Sequence, residues 1–261
     1  MKPAQITIIK KDIKEIISSK QTMIPMILLP VIFAVILPIG LLFGAQFGME
    51  GVNGMDELVE IFKEMFKTRN DTQLIVEIMM NYMFPILFLL IPVMTTSIIG
   101  AGSFVGEKER KTMESLLYTP ITLKELFIAK TAGVAIPAYL ITLVSSIVFG
   151  IIMNIGGWIY FGRMIFPNLK WVLLILWVCP AITMLGLSFM VLISAKAKTF
   201  QDAQQMSGLI VLPIIFVLIG QLTGLFLLNE AILFGVGAFL YALDYVLMRN
   251  ATRTFVPEKL V

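Results

Sequence analysis

MMNYMFPILFLLIPVMTTSIIGAGSFV, residues 79–105, runs directly into GEKERKTMESLLYTPITLKELFIAK, residues 106–130. The first string carries no charge and exceeds the ~20 residues that a helix rising 1.5 Å per residue needs to cross ~30 Å of hydrocarbon. The second is too polar to cross, and Pro120 interrupts it. It is nevertheless rich in helix formers, so it reads as a structured element at the membrane surface rather than slack linker.

Working outward, apolar runs of similar length recur at residues 23–47, 131–155, 171–194, 207–228 and 231–248. With 58% of the 261 residues apolar and 14% charged, the composition predicts an all-α integral membrane protein of six spans, a single transmembrane domain over residues 1–261. The first run is too long for a signal-peptide core and lacks a cleavage site, so it is read as retained. Orientation follows from basic residues. An inside N-terminus leaves five of the 20 Lys and Arg residues outside, namely Lys63, Lys67, Arg69, Arg163 and Lys170, and the other 15 inside. Both termini are therefore expected in the cytoplasm, and the net charge of +3 signals topology rather than a nucleic-acid partner.

Much chemistry is closed off. Cys179 is the only cysteine and there is no histidine, which removes internal disulfides, His-based metal sites and Ser/His or Cys/His nucleophiles. No GxxxxGK[ST] phosphate loop occurs. The chain is expected to hold no metal, to be no enzyme and to hydrolyse no nucleotide itself.

In residues 1–22, Ile6, Ile9, Ile13, Ile16 and Ile17 recur at helical spacing opposite Lys10, Lys11, Lys14 and Ser18. That predicts an amphipathic elbow helix in the inner interface, either an anchor or also a contact for a cytoplasmic partner. Residues 48–78 should form an extracellular loop with a surface helix at 55–66, where Met55, Leu58, Val59, Phe62, Met65 and Phe66 make an apolar stripe. Trp158, Tyr160, Phe161, Phe166 and Trp171 read as an outer aromatic belt. Thr199, three before Asp202, signals a helix cap, and a break near Asn229 and Glu230 predicts a tight hairpin between the last two spans.

Within the charged segment, Glu107 with Lys111 and Arg110 with Glu114 fall at i,i+4, while Met113, Leu116 and Leu117 share the other face. This predicts a short helix from Glu107 to Tyr118. Pro120 ends it, and Thr122 with Glu125 forms a capping box for the next helix. The element is either a docking surface or a helix-stabilising ladder at the membrane.

The string Glu107, Glu109, Arg110, Thr112, Glu114, Leu116, Leu117, Pro120, Ile121, Thr122 and Lys130 resembles the signature of permease subunits in the type-2 family of ATP-binding-cassette exporters. Six spans, inside termini and an elbow helix extend that resemblance over essentially the whole chain. It implies a bacterial plasma-membrane permease that pairs with a separate ATPase subunit, which would bind ATP and Mg, and with a second permease copy, as homodimer or paralogue heterodimer. It also implies that residues 106–130 are the coupling segment, with Glu107, Arg110, Thr112, Met113, Glu114, Leu116, Leu117, Pro120, Thr122 and Glu125 at the ATPase interface. Many members carry short re-entrant helices between the last two spans, for which residues 227–230 leave no room.

Asn81, Asn154, Gln221 and Asp244 are the main polar residues inside the spans and become candidates because burying such groups is costly. Asp244 lies five residues before Arg249, which favours a snorkelling or salt-bridged residue over a proton relay. Gly220 and Gly224 form a GxxxG pair. Kinking prolines and 17 methionines suit a path for a hydrophobic or amphipathic peptide, drug or lipid, or equally describe ordinary apolar spans. The alternative function is a self-contained channel or ion-coupled carrier. The lack of central Lys, Arg or Glu and of an internal repeat counts against it.

Overall fold

The computed structural model describes residues 3–46, 71–112, 121–222 and 229–254. Among these, every regular element is helical, and six helices are long and apolar enough to cross a membrane. The elbow helix is α1, Pro3–Ser18. The spans are α2 (Lys20–Ala45), α3 (Thr72–Glu109), α4 (Leu123–Phe161), α5 (Leu169–Ser194), α6 (Phe200–Gln221) and α7 (Glu230–Asn250). The protein is an all-α multi-pass membrane protein. α5 is central, packed by α3, α4 and α7, and α1 lies along the start of α4.

Two apolar clusters fill the bundle, one at each end. Ile8, Met26, Phe104, Leu126, Val134, Met190 and Phe200 belong to the cluster beneath α1. Leu41, Phe84, Phe88, Phe149, Trp171 and Leu233 belong to the one at the far end. Trp171 has no exposed surface and donates its ring N–H to the Met80 carbonyl at 3.1 Å, with Phe88, Phe149 and Phe166 packed around it. Trp171 is thus core rather than belt, and the half-buried Phe166 packs against it, because the α4–α5 connection folds inward. Trp158 remains exposed.

Several spans are interrupted by wide π turns: Ile32–Ile36, Met79–Met83 and Leu174–Val178. Each ends two residues before a proline: Pro38, Pro85 and Pro180. A proline ring clashes with the carbonyl one turn back and removes a donor, and a locally widened turn relieves both. A fourth π turn, Ala101–Gly106, has no proline after it and sits instead at the charged end of α3.

Several boundaries differ from the sequence reading, and α6 starts at Phe200 rather than at residue 207. Residues 71–78 are helical and continuous with α3, with Leu74 and Val76 fully buried, so the second span begins inside the expected loop. The remainder of that loop, including 55–66, lies outside the described residues. α4 is 39 residues long, about 58 Å, and overshoots the 131–155 span at both ends. It stops at Gly162, whose φ of +64° suits a residue without Cβ. The helix expected from Glu107 ends at Glu109, and Lys111 takes φ +56°, so the i,i+4 ladder of Glu107 with Lys111 does not form. Residues 113–120, with Met113, Glu114, Leu116, Leu117 and Pro120, lie outside the described residues. Past them, Thr122 and Glu125 make the expected capping box, and so do Thr199 and Asp202.

Candidate functional site

The π turn at the end of α3 turns Ser103 and Glu107 towards α1 and α4, where they meet a buried charge cluster. Glu107 is 1% exposed and Lys130, on the second turn of α4, is fully buried. Lys130 Nζ lies 2.5 Å from Glu107 Oε2 and donates to the Ser103 carbonyl at 2.9 Å and Ser103 Oγ at 3.4 Å. From α1, Lys11 Nζ donates to Glu107 Oε1 at 2.5 Å. Asp12, 3% exposed, accepts from Ser103 Oγ at 2.9 Å and stands 3.7 Å from Lys130 Nζ. Three elements therefore share one network. α1 packs against α4 at Gly133, where a Cβ would make only ordinary contact with Asp12 Oδ2 at 3.4 Å and the Ile9 backbone at 3.8 Å.

Electrostatics follow from burial. Burial pushes the Asp12 carboxyl above the usual carboxylate range, against the pull of Lys130. Burial also pulls the Lys11 ammonium down, but the hydrogen bond and charge of Glu107, with Asp12 and Glu15, more than offset it and hold Lys11 above the ordinary lysine range. Asp12, Glu15 and Glu107 bring carboxylate oxygens within 4.8 Å of one another, which by count is a cation-binding set. Lys11, Lys130 and Arg110 lie against these carboxylates, so the cluster carries its own counter-cations.

The remaining charges of the segment also turn inward. Arg110 pairs with Glu15 of α1. Glu109 Oε2 accepts the Phe200 N–H at 2.9 Å, placing a carboxylate on the first turn of α6. Thr112 folds back on the Glu107 carbonyl through its N–H at 2.9 Å and its hydroxyl at 3.2 Å. Gln5 donates to the Glu125 carbonyl at 3.3 Å, closing α1 onto the capped start of α4. Glu107 and Arg110 thus fasten the base of the segment to α1 and α4, Thr112 folds it back on Glu107, and Glu109 fastens it to α6.

The intramembrane candidates separate into different roles. Asn154 is a clamp: its Oδ1 accepts the Ile165 and Phe166 N–H groups at 3.1 and 2.9 Å, and its Nδ2 donates to the Phe166 carbonyl at 2.8 Å. Asn81 accepts from Asn168 Nδ2 at 2.7 Å, and its carbonyl receives Lys170 Nζ at 3.1 Å, so it ties α3 to the same connection. Gln221 is buried at the end of α6. Asp244 is 7% exposed on the face of α7 that packs on α5, and neither carboxylate oxygen meets a donor among the described residues. The expected pair with Arg249 is not formed, because Asp244 falls on the packed stripe of Leu233, Gly237 and Asp244. Gly224 lies outside the described residues. Close helix approach is found instead at Gly237, where a Cβ would strike the Trp177 ring at 2.3 Å.

The ABC-2 family transporter protein matches residues 6–250. The chain belongs to that family. No curated protein and no solved structure matches it. An ABC-2 permease is the membrane component of an ABC exporter and is not itself the ATPase. The matched stretch starts inside α1 and ends at the close of α7, so the elbow helix and all six spans of this ABC-2 permease fall within it. Sequence reasoning missed Lys11, Asp12, Glu15 and Ser103. The signal for Asp12 was present: a carboxylate one turn from Ile9 and Ile16, within the apolar stripe of an amphipathic helix.

Proposed function

We propose that this ABC-2 permease couples to a separate ATPase subunit through residues 106–130, and that α1 takes part in the coupling. The observation carrying this is the Glu107–Lys130 contact with its ties to Lys11 and Asp12. It closes the base of the segment, so a displacement of residues 113–120 moves α1, α3 and α4 together instead of bending a loose loop. Met113, Leu116, Leu117 and Pro120 supply the apolar docking face, and Glu114 a rim charge. The partner binds ATP and Mg. Both termini lie in the cytoplasm of a bacterial cell, and a second permease copy completes the path. A groove of about 350 Å³ between α2 and α4, apolar apart from Ser145, supports a hydrophobic or amphipathic peptide, drug or lipid as cargo.

The test is Leu117→Asp. An aspartate forced into an apolar interface costs several kcal/mol, enough to abolish a micromolar contact. Pull-down of the ATPase and substrate-stimulated hydrolysis should both be lost while the bundle stays folded. Wild-type values of both in a folded sample would make the segment a surface element and not the coupling site.

A further inference from the structure

At the end of the bundle opposite α1, the α4–α5 connection folds back and leaves a cavity of about 310 Å³ against the first turns of α3. Its walls carry one acid and one base, Glu77 on α3 and Arg163 on the connection. The two do not pair with each other, and neither side chain has a hydrogen-bonding or ionic partner among the described residues. Asn81 and Asn168 also line the cavity. Each amide nitrogen spends one N–H, on the Glu77 carbonyl at 3.0 Å and on Asn81 Oδ1 at 2.7 Å, and keeps a second. Behind them the Lys170 ammonium is buried, 3.1 Å from the Asn81 carbonyl and 4.2 Å from the Tyr82 ring centre.

We propose that this cavity binds the zwitterionic headgroup of a phospholipid with a free amine, its phosphate at Arg163 and the Asn81–Asn168 amides and its ammonium at Glu77. An anion alone would leave Glu77 repelling it, and a cation alone would meet Arg163 and Lys170. A ligand carrying both charges at short separation satisfies both walls. Guanidinium and amide N–H groups are the donors that phosphate oxygens require. The flanks select a lipid over a free zwitterion. Met164 on the rim, Leu169 at the start of α5, and Trp158 and Ile159 at the end of α4 are all exposed apolar side chains. They supply surface for acyl chains, with the aromatic ring at headgroup depth. The site lies on the leaflet away from α1 and stands apart from the coupling segment, so it does not depend on that proposal.

Native mass spectrometry of the purified chain in detergent tests this, with phosphatidylethanolamine and phosphatidylglycerol of matched acyl chains in competition. The wild type should retain phosphatidylethanolamine about threefold or more over phosphatidylglycerol, the scale of one solvent-accessible ion pair. Glu77→Gln should abolish the preference while keeping phosphatidylglycerol, and Arg163→Gln should weaken both. Both residues lie at the cavity wall rather than in the core, and thermal unfolding within a few degrees of wild type confirms that each variant is folded. Equal retention of the two lipids by the wild type, or an unchanged preference in Glu77→Gln, overturns the proposal. So does competition by a zwitterionic dipeptide with the same dependence on Glu77 and Arg163 in the absence of lipid retention.

Discussion

Lys130 has no exposed surface, so its charge must be met inside the protein, and among the described residues Glu107, Asp12 and Ser103 meet it, with the Phe104 ring 5.8 Å away. Removing one partner of a buried pair costs about 3–5 kcal/mol because the other charge is left uncompensated, whereas removing both is often close to neutral. Lys130→Met should therefore lower the thermal stability of the purified chain, by less than that full cost because Lys11 still meets Glu107. Lys130→Met combined with Glu107→Gln should recover part of the loss. An unfolding midpoint for Lys130→Met equal to wild type would show that the network is not closed as described. Asp12 behaves differently, because the folded state raises its carboxyl and so binds its proton more tightly than the unfolded chain. Its contribution to stability is then fully present below the ordinary value near ~4 and is lost as pH rises through the folded value. Asp12→Asn removes that dependence, so the variant should gain on wild type between acid and neutral pH when unfolding midpoints are compared across that window. A constant difference would contradict the raised carboxyl.

At the scale of elements, the caps were legible and the charge partners were not. Thr122 and Glu125 stand three residues apart, and the capping box they form depends on nothing else in the chain. The partners of Glu107 lie on α1 and α4, and whether it faces Lys111 or Lys130 is decided by the π turn before it, which no local pattern announces. The same holds for Asn154. In sequence it is a lone polar residue in an apolar run, and only the fold-back after Gly162 gives it two N–H groups and a carbonyl to bind. Thr122→Ala should destabilise the start of α4 by about 1 kcal/mol, and amide exchange at residues 123–126 reports it. Gly157→Ala should do more, since its Cβ would sit 2.8 Å from the Arg163 carbonyl, a backbone atom that cannot rotate away. Overpacking of this kind costs about 1–3 kcal/mol. A lowered unfolding midpoint in Gly157→Ala, set against an unchanged one in Gly235→Ala, where a Cβ meets nothing, would place the effect at the fold-back.

Across the whole molecule, the spans were legible because hydrocarbon thickness fixes their length, whereas their joining into one mechanical unit was not. Glu109 reaches α6 and Arg110 reaches α1, while Glu107 joins α1 to α4, so three bundle elements are tied to the base of one segment. If residues 113–120 dock the ATPase, docking and transmission are separable functions of neighbouring residues. Leu117→Asp removes the docking face and should lose the partner. Glu109→Ala with Arg110→Ala leaves that face intact and cuts only the ties to α6 and α1, both at the surface end of the bundle, so the protein should remain folded. In that double variant the ATPase should copurify at wild-type yield and hydrolyse ATP, while substrate exported per ATP in proteoliposomes falls severalfold. Loss of the partner would instead make these residues part of the docking face. Unchanged export per ATP would mean that the stroke passes through the buried Glu107–Lys130 pair alone.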